Sequence, residues 1–131
     1  MKTLAIGWLW VLFVLSTHSF AQIIVTNKIG RAEALKIVSQ LPKGMRHTDA
    51  LKVLERNGLR GESAGPSFHH TWFRCYSLAD GDSLALGYLP PLRHSNEFLV
   101  QLAESRLAEA HISNSNGLRI IEITLTNAPT N

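Results

Sequence analysis

Apolar residues recur every three to four positions up to about residue 57 and then, after a polar stretch, at every second position. In the first part, Ala34, Ile37, Val38 and Leu41 share one side of a 3.6-residue repeat. They predict a helix opened by Thr26 or Asn27, both good capping residues, and running to about Leu41. Pro42-Lys43-Gly44 stops it. A second helix is predicted from Arg46 or Thr48 to Asn57, with Ala50, Val53 and Leu54 inward and Lys52, Glu55 and Arg56 outward. Asn57-Gly58 supplies its left-handed exit. Residues 60–70 (RGESAGPSFHH) read as a Gly/Pro/Ser loop.

The alternating part predicts hairpins. Thr71 to Leu78 and Ser83 to Leu89 flank Asp80-Gly81, a favoured two-residue turn. That turn sets Ser77 against Leu84, Cys75 against Leu86 and Phe73 against Tyr88. One face then collects Phe73, Cys75, Leu84, Leu86 and Tyr88 as core. The other carries Trp72, Arg74, Tyr76 and Leu78 beside Ser83, Ala85 and Gly87. Residues 98–112 have helical composition, but an Asn116-Gly117 turn pairs Ala108, Ala110 and Ile112 with Leu125, Ile123 and Ile121. It also sets His111 against Glu122 on the opposite side. Strands are therefore expected near 105–113 and 118–126. The resulting fold class is α+β: two N-terminal helices on one face of a four-stranded antiparallel sheet, in the order α-α-β-β-β-β.

The N-terminus reads as an address. Met1-Lys2, the apolar run Leu4–Leu15 and the exit Ser16–Ala21 follow the order of a secretory signal, with Ser19-Phe20-Ala21 in the small-x-small slot. The run is shorter than the roughly 20 residues a spanning helix needs. Cleavage is expected before Gln22, leaving residues 22–131 as one small α+β domain, secreted or periplasmic, with no membrane span. The alternative is an uncleaved anchor, extended by Ile23-Ile24-Val25.

Net charge is +3, one cation of which, Lys2, leaves with the signal. The remaining basic residues are scattered, which disfavours nucleic acid as a partner. Cys75 is the single cysteine, so an internal disulfide is impossible; it reads as a small buried apolar residue rather than a nucleophile.

Leu41-Pro42-Lys43-Gly44-Met45, followed by Asp49-Ala50-Leu51-Lys52-Val53-Leu54, resembles the G-M-x-x-x-[ED]-V-x-x-L-L-G helix start of the SmpA/OmlA (BamE-like) family. The β-lactamase-inhibitor-protein-like fold shares the same element order. The resemblance implies that Gly44 allows a tight helix start, that Met45 packs beneath the sheet, and that the chain binds proteins in the cell envelope. Departures are Arg46 at the expected polar cap, a displaced Gly58 and no lipidation cysteine. The resemblance implies no activity.

Motifs for catalysis are absent: no G-x-S-x-G, no phosphate loop and no paired carboxylates. No catalytic residue, metal or cofactor is expected. His47, His69, His70, His94 and His111 lack chelating spacing and read as scattered surface histidines, and a metal-binding protein or small enzyme using His69, His70, His94 and His111 is kept as the alternative reading. What remains is a surface. The outer face of the sheet is expected to carry Trp72, Arg74 and Tyr76 with His111 and Glu122, residue types that dominate protein-binding hot spots. The competing expectation is that residues 90–104, with Phe98, Leu99 and Val100, cover Trp72 and Tyr76. The sequence thus predicts a non-enzymatic exported module binding a protein partner through an open sheet face.

Overall fold

The computed structural model describes residues 25–91 and 98–127. Residues 1–21, which read as a secretory signal, and His94 lie outside them. Three helices, α1 (Arg31–Ser39), α2 (His47–Arg56) and α3 (Phe98–Glu104), accompany five strands: β1 (Ser63–Phe68), β2 (Thr71–Ser77), β3 (Ser83–Leu89), β4 (Arg106–Ser113) and β5 (Arg119–Ile123). The strands form one antiparallel sheet in the order β1-β2-β3-β4-β5. No described helix is long and apolar enough to cross a membrane.

The expected α-α-β-β-β-β order is thus corrected twice. A third helix, α3, interrupts the strands, and the sheet has five strands instead of four. The added strand, β1, falls where a loop was expected. Its hairpin turn is His69-His70, both left-handed at φ 50° and 64°, positions usually given to Asn or Gly. Nothing in that dipeptide announces a turn. Gly65-Pro66 and a register shift between Ala64 and Ser67 further disguise the strand, as befits an edge.

The first helix begins at Arg31, not at Thr26 or Asn27. Asn27 is occupied elsewhere. Its Nδ2 donates to the carbonyls of Arg60 and Ser77, both at 2.9 Å, while its Oδ1 accepts from the Arg60 amide at 2.8 Å. Thr26 bridges Ser77, so this stretch lies extended along the end of β2. The inward set was legible: Ala34, Ile37, Val38, Leu41, Ala50 and Leu54 are buried. Helix α2 ends as expected, with Gly58 at φ 91°. The Gly58 and Leu59 amides donate back to Glu55 and Leu54, closing both orphan carbonyls of a Schellman exit.

Gly44 precedes α2 at φ 91°. Its amide donates to the Leu107 carbonyl at 2.7 Å, and the Leu107 amide donates to the Met45 carbonyl at 2.8 Å. The chain therefore runs along β4 before turning into the helix.

Both long hairpins close with the same three-residue turn. In the first, the Leu78 amide donates to the Asp82 carbonyl across Ala79-Asp80-Gly81; in the second, Asn114 does so to Leu118 across Ser115-Asn116-Gly117. Gly81 and Gly117 hold the left-handed position at φ 78° and 79°. Each turn is one residue longer than expected, which shifts pairing by one. Along β4–β5 an irregularity between Ile112 and Ser113 cancels the shift, so Ala110–Ile123, His111–Glu122 and Ile112–Ile121 pair as expected. Along β2–β3 nothing cancels it. Trp72 faces Tyr88, Arg74 faces Leu86, Cys75 faces Ala85 and Tyr76 faces Leu84.

A one-residue slip exchanges the faces of a strand. Tyr76, Leu84, Leu86 and Tyr88 accordingly join the contiguous core under the helices, with Leu107, Ala110, Ile112 and Ile123. Phe73 and Cys75 occupy the other face. Phe73 is nonetheless buried, its ring packed close to Gly87: a Cβ there would stand 2.9 Å from its Cε1.

Candidate functional site: a buried polar cluster and an apolar end

The five residues expected to share one binding face are divided between two. Trp72, Arg74 and Tyr76 lie on the helix-covered side, paired across the ladder with the core residues Tyr88, Leu86 and Leu84. Tyr76 is buried and Trp72 half-buried, its ring 5.2 Å from that of Phe98 in α3. The competing expectation of cover by residues 90–104 holds for Trp72. His111 and Glu122 remain partners on the opposite side.

The extra turn residue brings Arg74 to the covered side. A charged residue between two aromatics marks an outer face by pattern, yet here it is drawn inward to a carboxylate. Its Nε lies 3.1 Å from Glu62 Oε1, oriented for an ion contact instead of an aligned hydrogen bond. Glu62 also meets His47 Nε2 at 2.8 Å. A carboxylate can only accept, so Nε2 carries the hydrogen. The three side chains are 18, 11 and 8% exposed for Arg74, Glu62 and His47. Burial works to raise the Glu62 carboxyl, but the hydrogen bond and charge interaction with His47, and the charge of Arg74, outweigh it and hold the group below its usual range.

The cluster is framed by two phenols. The His47 ring meets Tyr88 edge-on at 5.0 Å, and Tyr76 stands two positions along β2 from Arg74. Burial raises both phenols well above their ordinary value. Neither hydroxyl has a hydrogen-bond partner among the described residues. A His–Glu pair resembles acid–base machinery in composition. Here both side chains are largely buried, 8% exposed for His47 and 11% for Glu62. Sequence reasoning grouped His47 with scattered surface histidines and passed over Glu62; no spacing rule links residues 47, 62 and 74.

The opposite face offers less chemistry. His111 packs against Phe73 with ring centroids 5.5 Å apart. Burial, aided by Arg119, lowers its imidazole from the ordinary value. Glu122 is engaged by Arg119 at 2.7 Å. Cys75, expected to be buried, is half-buried, and burial pushes its thiol up. Among the described residues no group of three or more His, Cys, Asp or Glu is placed to hold a metal. A wide depression of about 550 Å³ beside the start of α1 is lined by Gly30, Arg31, Glu33, Leu35 and Asp80. Arg31 is already paired there with Asp82 at 2.9 Å.

The second feature is apolar. Phe98, Leu99 and Val100 are 56, 75 and 38% exposed in the first turn of α3, with Trp72 beneath Phe98. Leu89, at the end of β3, is also exposed. The α3 helix is held by Thr48 Oγ1, which donates to the Ala103 carbonyl at 2.9 Å, and by buried Leu102. No family model, curated protein or solved structure matches the chain.

Proposed function

We propose that this chain is an exported, non-enzymatic protein-binding module that engages its partner through the apolar end around α3. The observation that carries the reading is Phe98-Leu99-Val100, three large apolar side chains exposed around the first turn of a helix that packs on Trp72. Contiguous exposed apolar residues are uncommon on a soluble surface and mark contact sites. An aromatic such as Phe98, backed by Trp72, is a typical hot-spot anchor. Export is supported by the signal-like order of residues 1–21. The likeness of Leu41–Leu54 to SmpA/OmlA proteins supports an envelope protein as the partner.

Immobilised residues 22–131 and their Leu99→Glu variant, offered envelope and secreted fractions, test the reading. Leu99→Glu is expected to keep its melting temperature and lose the partner, while Glu122→Lys on the opposite face retains it. Equal capture by wild type and Leu99→Glu overturns the assignment.

A further inference from the structure

The β2–β3 hairpin can be written in two registers. In the observed one Cys75 opposes Ala85, and Trp72, Arg74 and Tyr76 lie beside Leu84, Leu86 and Tyr88 beneath the helices. In the other, closed by a two-residue Asp80-Gly81 turn, Cys75 opposes Leu86, and Phe73 and Cys75 take the covered side. Either register puts aromatic or apolar groups against the same three β3 residues, so apolar pattern alone separates them weakly. Arg74 separates them strongly. In the observed register it reaches Glu62 at 3.1 Å, and His47 binds the same carboxylate at 2.8 Å. In the slipped register Arg74 points away from the helices, and Glu62, 11% exposed, keeps only its contact with His47.

We propose that the His47–Glu62–Arg74 cluster is a register lock, selecting this pairing of β2 with β3 and thereby deciding which side of β2 is buried. Buried ion pairs give little net stability relative to well-packed apolar replacements, and fixing register is their best-attested use. The lock also ties three separate elements to one choice: His47 begins α2, Glu62 precedes β1 and Arg74 is mid-β2. The β4–β5 hairpin sets its register differently, through the irregularity after Ile112. The proposal goes beyond the binding reading and stands without it.

Cys75 is the chain's single thiol, so one added cysteine reports the register. With the cluster intact, mild oxidation of Ala85→Cys is expected to give an intramolecular disulfide, whereas Leu86→Cys stays reduced. The pair Arg74→Met and Glu62→Gln removes the charges at nearly constant volume. In that background the ratio of the two disulfide yields is expected to invert in favour of Leu86→Cys. Cross-strand nuclear Overhauser contacts, Trp72 with Tyr88 against Phe73 with Tyr88, give the same readout without added thiols. A charge-free protein that folds and keeps the Trp72–Tyr88 contact overturns the proposal. Loss of folding in the charge-free protein overturns it too, because the cluster is then a stability element with no second register behind it.

Discussion

Leu78 and Asp82 face each other across Ala79-Asp80-Gly81, the Leu78 amide donating to the Asp82 carbonyl at 2.9 Å. The turn depends on Gly81 at φ 78°. Gly81→Ala is therefore expected to cost about 1 kcal/mol, and Gly81→Asn less, since Asn tolerates the left-handed region. Thermal melts of the two variants against wild type check the order. Gly44→Val is expected to cost about 1 kcal/mol or more for the same reason: its φ is 91°, and no atom lies within 4 Å of an added Cβ, so strain and not collision sets the cost.

Gly87→Ala probes the opposite kind of glycine. A Cβ there meets Glu109 Cγ and Thr71 Cγ2 at 2.8 Å and Phe73 Cε1 at 2.9 Å. The expected loss is about 2 kcal/mol from overpacking. Gly87→Ala combined with Phe73→Leu is expected to lose less than the two single losses added, because the smaller side chain frees the space. Strict additivity in denaturant melts rules out the contact as the cause.

The end of α2, the inward residues and one of two hairpin registers were legible because each rests on local chemistry: Gly58 after α2, Ala34-Ile37-Val38 on one stripe, Ile112 against Ile121. The face of β2 was not legible, because it hangs on a single residue of turn length between Leu78 and Asp82. The β1 strand was hidden by a His69-His70 turn without glycine or asparagine. The buried cluster was invisible for a third reason: His47, Glu62 and Arg74 meet only once the sheet and α2 are assembled, and Arg74 alone signals an exposed face.

Trp72→Ala is expected to lower stability by about 2 kcal/mol, less than a fully buried aromatic, because the ring is half-buried and its ring contact is with Phe98. Tyr76→Ala, wholly inside the core, is expected to cost more, about 4 kcal/mol. Chemical denaturation of both variants checks the ranking. Equal losses count against the partial burial of Trp72 as the source of the difference.

Acid is expected to destabilise the domain in two windows. His111 has a lowered folded pKa, so the fold binds its proton less readily than the unfolded chain, and stability falls as pH drops below about 6.5, the ordinary value. Glu62 is likewise lowered, so its contribution is present above its ordinary 4.5 and lost as pH falls through the folded value. Melting temperatures across pH 3–7 check both: His111→Gln is expected to flatten the upper window alone and Glu62→Gln the lower. At neutral pH Glu62→Ala, which strands Arg74, is expected to cost about 3 kcal/mol.

The Thr26–Ser77 bridge gives the domain a direction. Ser77 ends β2, and Trp72 lies five residues back toward its start, roughly 17 Å away at the rise of an extended strand. Thr26 therefore lies at one pole of the sheet, while Phe98, against Trp72, lies at the other. A probe placed at Thr26 thus reports on one pole of the domain and stays clear of the apolar pole at Phe98 and Leu99.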